Sequence, residues 1–382
     1  MKYIWHLSRV LLGLVFIFSG FVKGIDPLGS AYKFTDYFHA WNMEALVGLA
    51  LPLGILLSVA EFVIGIALVT NVLNKFFSWF ALLFMSFFTV VTLIVAINNP
   101  VTDCGCFGDA LKLSNWGTFY KNIFFLALAI ITVVFGKRYR PTKFPLIATI
   151  MAGATVFVFV YLIDYSYKHL PIIDFRPYKI GTNIPEGMNM PADAAQDEYA
   201  NVFVYENLKT GKEKEFTEAN YPWQDTLNWK FVSMETELIK KGYEPPIHNF
   251  TIETPDGEDI KDFFLYDEAY TFMLISKNLD EADWSALERI KELTAYAEEH
   301  SMHFIGLTAS ELDRASEVAE EKELPIEFFN TDEITLKTMV RANPGLILLK
   351  KGTILDKWHF NNIPSVEEFE RELTYFGQRG IE

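Results

Sequence analysis

Up to residue 166 the chain is a succession of long apolar runs, and beyond it apolar and polar residues alternate over short intervals. Five runs, at about 4–25, 46–72, 76–98, 117–136 and 144–166, are each long enough for a helix across a hydrocarbon core, which needs about 20 residues. The first is too long for a signal peptide, holds Arg9, and has no small-x-small pattern before Asp26-Pro27, so it reads as an uncleaved helix. Trp41 ahead of the second run, and Trp116, Phe119 and Tyr120 opening the fourth, stand where aromatic rings anchor helices at the interface. Pro171, Pro177, Pro185 and Pro191 punctuate a linker from about 168 to 198, where no packed core is expected. A hairpin follows, its strands at 201–205 and 212–216, and then a short helix is expected around 229–241. From Tyr243 onward strands (250–257, 270–276, 303–308, 345–353) alternate with helices (282–299, 311–321, 366–375), the pattern of an α/β layered domain. The division that results is a helical membrane bundle at 1–140, a fifth spanning helix at 141–167, a linker with a small hairpin subdomain at 168–242, and an α/β soluble domain at 243–382.

Charge follows the same division. The whole chain carries −16, but residues 1–166 balance to +4 and residues 167–382 to −20. Lys137, Arg138, Arg140 and Lys143 crowd the loop between the fourth and fifth runs, and such clusters stay on the cytoplasmic side. The expectation is therefore a multi-pass protein of a bacterial inner membrane, with the N-terminus cytoplasmic and the C-terminal domain periplasmic. Its surroundings are the lipid bilayer, and the acidic outer part argues against nucleic acid as a partner.

On the periplasmic side of that topology lies Asp103-Cys104-Gly105-Cys106-Phe107-Gly108-Asp109, which contains both cysteines of the chain. That compartment lets disulfides persist. One residue between two cysteines requires a turn, which glycine makes at least steric cost, and the tight ring that results should be strained and readily reduced. Three readings stay open: a dithiol/disulfide pair that exchanges, a permanent loop staple, and a soft-metal site. The last is short of ligands, because two thiolates under-coordinate a metal and the loop has no His. Within the spans, Glu61 needs a partner or must be neutral, and serves either as a proton site for thiol oxidation or as a packing hydrogen bond. Arg9 can snorkel and reads as structural, whereas Lys23 is expected near the outer end, where a cation lowers a thiol pKa.

Arg9-Val-Leu-Leu-Gly13, Phe18-Ser-Gly-Phe-Val-Lys23, Asp26-Pro27, Glu61 and Ile64-Gly65 together resemble the DoxX-type membrane proteins, and the two-cysteine loop resembles the MauE branch. The likeness covers about residues 1–140. It implies a four-helix redox-associated membrane unit that handles disulfides outside the cytoplasm, in some DoxD relatives with quinone-linked electron transfer. No other cofactor is suggested.

Pro245-Pro-Ile-His-Asn-Phe250, Asp256-Gly257 and the strand order after them are similar to the TlpA and peroxiredoxin branch of thioredoxin-like domains. Asn343-Pro344 falls where that fold places its cis-proline. Where the family carries Cys-x-x-Cys, this chain has Ser276-Lys-Asn-Leu-Asp-Glu-Ala282. Without a thiolate the domain cannot itself exchange disulfides. It is expected instead to bind a periplasmic thiol protein or other polypeptide along the groove beside Asn343 and Pro344. The enzyme reading is thus a membrane thiol/disulfide oxidoreductase acting through Cys104 and Cys106, and the competing reading is a membrane-anchored assembly or scaffold factor.

Overall fold

The computed structural model describes residues 2–101, 103–136, 145–191, 193–240 and 242–378. The basic cluster at 137–143 lies outside them. Helices α1 (Lys2–Ile25), α3 (Ala50–Thr70, entered through a 3-10 turn at Glu44–Leu49), α4 (Asn74–Asn98), α5 (Asn115–Gly136) and α6 (Pro145–Lys168) are the apolar segments long enough to span a membrane. A helix is the form in which such segments satisfy every backbone group internally. α1 and α3 pack backbone to backbone: a Cβ at Gly65 would lie 2.6 Å from the Gly13 carbonyl oxygen, the close approach that small residues allow in lipid. Arg9 donates to the Leu68 and Val69 carbonyls at the end of α3, a structural role.

Between α1 and α3 the pattern of apolar residues had shown no element, yet Pro27–Ala40 forms a helix, α2. Its start is encoded locally. Asp26 is the N-cap, accepting from the Gly29 N–H at 2.9 Å, and Pro27 takes the first turn, where its missing N–H costs nothing.

Two compact units divide the chain, residues 1–182 with 250–382, and residues 183–249. The second holds α7 (Ile184–Met188) and an antiparallel sheet of β1 (Glu198–Asn207), β2 (Glu213–Thr217) and β3 (Trp229–Lys240) in the order β2-β1-β3. The hairpin is where the turn residues put it. The helix expected around 229–241 is instead β3, paired with β1 along its length. Trp229, Phe231 and Val232 favour a pleated surface, Phe231 packs on Tyr205 and Trp229 on Phe216, and a lone helix of that length would be marginal in water.

In the first unit the C-terminal α/β domain comprises α8 (Lys261–Tyr266), β4 (Tyr270–Ser276), α9 (Leu287–Glu299), β5 (His303–Thr308), α10 (Leu312–Glu321), β6 (Glu327–Asn330), α11 (Glu333–Met339), β7 (Gly345–Lys350), β8 (Thr353–His359) and α12 (Val366–Gln378). The sheet runs β6-β5-β4-β7-β8, with β4, β5 and β6 parallel and β7 and β8 antiparallel to their neighbours. The Asn343-Pro344 bond before β7 is cis. This is the thioredoxin-like order. Phe272, Leu274, Ile290, Leu293, Leu346, Leu348 and Phe369 form its core. The expected strand at 250–257 is reduced to isolated bridges, Glu253 with Asp259 and with Asn330.

Residues 168–182, expected as an unpacked linker, are seated on this domain. Arg176 and Tyr178 are buried; Arg176 clamps Asp174 at 2.7 and 2.9 Å, and Lys357 of β8 bonds the same carboxylate at 2.9 Å. Prolines limit local structure, but the long-range bonds of Lys357 to Asp174 and of Arg176 to the Thr338 carbonyl fix the segment regardless.

Candidate functional site

The two-cysteine loop joins α4 to α5, and both cysteines are half-buried free thiols. Gly105 has φ +61°, the left-handed turn that its position between two sulfurs called for. The Asp103 carboxylate accepts the Gly105 N–H at 2.9 Å and pairs with Lys33 of α2 at 2.9 Å. Ser19 of α1 donates to the Cys106 carbonyl at 2.7 Å, and Tyr37 of α2 to the Cys104 carbonyl at 3.3 Å. Phe107 is buried under the Lys121 ammonium, 4.2 Å above its ring. The loop is thereby held by α1, α2 and α5, two of which flank it nowhere in sequence.

The two sulfurs are not equivalent. Cys104 donates its S–H to Asn115 Oδ1 at 3.2 Å, and Asn115 is fixed in turn by Asn99 and the Val101 carbonyl. Burial, and then the neighbouring Cys106, push the Cys104 thiol up to about 11, although Tyr37 and Thr118 hydrogen-bond it in the opposite sense. At pH 8 such a thiol is ionised to only about one part in a thousand. In a Cys106→Ser protein, alkylation of Cys104 by iodoacetamide should therefore be slow at pH 7 and rise about tenfold per pH unit up to pH 10. A plateau below pH 9 would contradict that environment.

Glu61 is buried in α3 with Oε1 bonded to Lys23 Nζ at 2.6 Å. The partner that an intramembrane carboxylate requires is thus Lys23, which the sequence suggested for a thiol instead. Glu61 Oε2 has no hydrogen-bond partner among the described residues. Lys23 stands four residues after Ser19 on the same face of α1, so the ion pair is one helical turn from the group holding Cys106.

In the C-terminal domain the cysteine-free stretch after β4 is closed by Asn343: Ser276 Oγ donates to Asn343 Oδ1 at 2.8 Å, and Asn343 Nδ2 donates to the Asn278 carbonyl at 2.8 Å. Pro344 is buried. The neighbouring cations face α2, with Lys277 and Lys337 each 5.0 Å and Arg341 5.3 Å from the Tyr32 ring centre. Nothing in the order of residues had singled out Arg341, Tyr32 or Asn115. Their roles depend on contacts between distant segments.

A cavity of about 560 Å³ lies at the C-terminal end of α6, lined by Tyr161, Tyr165, His169, Trp358 and His359 among others. Burial, together with the nearby His169 charge, pushes His359 down to about 4, so its imidazole is neutral at pH 7. Aromatic faces and the neutral His359 imidazole fit the ring and carbonyls of a quinone headgroup.

No curated protein matches this chain. Residues 199–241 match the family model of a domain of unknown function, DUF8463. Among solved structures, a candidate protein disulfide isomerase from Bacteroides thetaiotaomicron is similar at 15% identity over 34% of this chain and 84% of that one, with a TM-score of 0.26. An uncharacterized conserved protein from Geobacillus kaustophilus is similar at 11% identity over 44% and 73%, with a TM-score of 0.20. Residues 1–135, the segment that carries α1 to α5 and the two-cysteine loop, match the family model of the methylamine utilisation protein MauE, so the chain bears a MauE-family membrane domain.

Proposed function

We propose that this redox-associated membrane protein exchanges disulfides with a periplasmic polypeptide through Cys104 and Cys106. The observation that carries the reading is the loop itself: two free thiols one residue apart, turned by a left-handed glycine and held on three helices. Cys104 is kept as a hydrogen-bonded thiol, so the first attack falls to Cys106. Its thiolate displaces one sulfur of a client disulfide, forming a mixed disulfide and releasing a client thiolate. Cys104 then attacks Cys106, closing the ring and freeing the second client thiol. Two protons and two electrons leave the pair in the sum, and the reverse sequence oxidises a client. Glu61, with Oε2 unpartnered one turn from the loop's anchor, serves as the proton site. In the reverse direction a quinone, if held in the cavity beside α6, would take up the two electrons and two protons of the reduced pair; in the forward direction a thiol reductant would restore the dithiol.

The polypeptide-binding role is assigned to the face beside Asn343 and Pro344. The neighbouring Lys277 and Arg341 lie against Tyr32 of α2, the helix that also holds the two-cysteine loop. A brief pulse of dithiothreitol to intact cells, followed by acid quenching and maleimide labelling, tests the exchange reading. The pair should be labelled after the pulse and return to its starting state within minutes. A pair that stays unlabelled throughout, or never recovers, would favour the scaffold role instead.

A further inference from the structure

The loop is pinned at both shoulders, and the two pins come from different parts of the molecule. Asp103, directly before Cys104, is held by Lys33 of α2 at 2.9 Å. Asp109, three residues after Cys106, is held at 2.9 Å by Arg341 Nη2 of the outer domain, from the loop that leads into the cis-proline. The same guanidinium places Nε 3.0 Å from each oxygen of Asp26, the N-cap of α2, and donates through Nη1 to the Lys337 carbonyl. It is 6% exposed, with Tyr32 of α2 against its face. Thus Arg341 grips the loop on one side and, on the other, the start of the helix whose Lys33 and Tyr37 grip the loop again.

A planar fork with several donors is suited to this task, because it bonds two carboxylates at fixed angles where a lysine would make one point contact. Buried as it is, the bond cannot be lost cheaply.

We infer that Arg341 is a positioning residue for the Cys104/Cys106 pair, and that the cysteine-free outer domain uses it to set the pair's redox equilibrium. The inference rests on the exchange reading above. In the arrangement that Arg341 and Lys33 stabilise, Cys104 is a thiol turned to Asn115. Closing the ring requires that sulfur to leave Asn115 for Cys106, and any accompanying shift of Asp103 or Asp109 works against their ion pairs. The pinned loop therefore favours the dithiol over the disulfide. Releasing the pin lets the disulfide form more readily. An outer domain without cysteines thereby acts on sulfur chemistry it does not perform.

The test uses the full-length protein in detergent, equilibrated with glutathione buffers. There the pair and oxidised glutathione exchange to the Cys104–Cys106 disulfide and two glutathione thiols, and the fraction oxidised is read by maleimide gel shift. Asp109→Asn should shift the equilibrium toward the disulfide about tenfold, which corresponds to about 30 mV. Arg341→Gln should shift it at least as far, since it also frees Asp26, and the double variant should add nothing to Arg341→Gln. Arg341→Lys should fall between Arg341→Gln and the wild type. Asp109→Asn leaves the Asp26 bond in place, so it keeps the test valid if Arg341→Gln does not fold. An unchanged equilibrium in a folded Asp109→Asn protein, or a shift toward the dithiol, overturns the positioning role while leaving disulfide exchange standing. A wild-type pair that forms no disulfide in any of these buffers overturns the exchange reading, and the inference with it.

Discussion

Cys104→Ser should leave the protein inserted and folded but arrest it as a mixed disulfide between Cys106 and its client, visible as a reducible high-mass band. Cys106→Ser should show no such band and no exchange. The asymmetry follows from the site. Cys104 donates to Asn115 and is pushed up to about 11 by burial, so it is the poorer attacking sulfur; in the proposed exchange Cys106 attacks and Cys104 resolves. Removing the resolving sulfur strands the intermediate, and removing the attacking one prevents it from forming. Stability should be nearly unaffected, because the membrane bundle is held by packing such as that of α1 on α3. Substrate trapping by Cys106→Ser instead would exchange the two roles. Full activity in both serine variants would remove the dithiol from the mechanism altogether.

How much of this could be read from the residues varies with the range of the interaction that decides each feature. The spanning segments were plain, because hydrocarbon thickness sets their length and a run of apolar residues shows it directly. β4 and β5 were equally plain, being short apolar runs between polar boundaries, and Asn343-Pro344 marked the start of β7. The helix α2 was missed although its start signal, Asp26 before Pro27, was in view. The residues after it (Leu-Gly-Ser-Ala-Tyr-Lys-Phe-Thr-Asp-Tyr) mix apolar and polar positions without a clean stripe, because this helix buries contacts on more than one side. β3 was misjudged because its partner β1 lies more than twenty residues away, and pairing overrode a weak local pattern. The two cysteines announced themselves, as did the need of Glu61 for a partner. Lys23 as that partner, and Arg341 on Asp109, follow only from the tertiary fold.

The largest effect on stability is expected at the buried pair inside the membrane. Glu61→Gln leaves the Lys23 ammonium without its carboxylate, and Lys23→Met leaves the carboxylate without its cation. Breaking one side of a buried ion pair costs about 3–5 kcal/mol, because the remaining charge has neither water nor partner. Replacing both groups removes the problem, so Lys23→Met with Glu61→Gln should recover most of the loss, a strongly non-additive result in detergent unfolding. Stability alone would not separate a packing bond from a proton site, since both predict that pattern. Exchange rate does. If Glu61 handles the protons of the dithiol, the stable double variant should still exchange disulfides at least about tenfold more slowly, within the range that a positioned proton acceptor contributes. If it matches the wild type in rate as well as stability, the pair only joins α1 to α3. The unpartnered Oε2 would then have no chemical task.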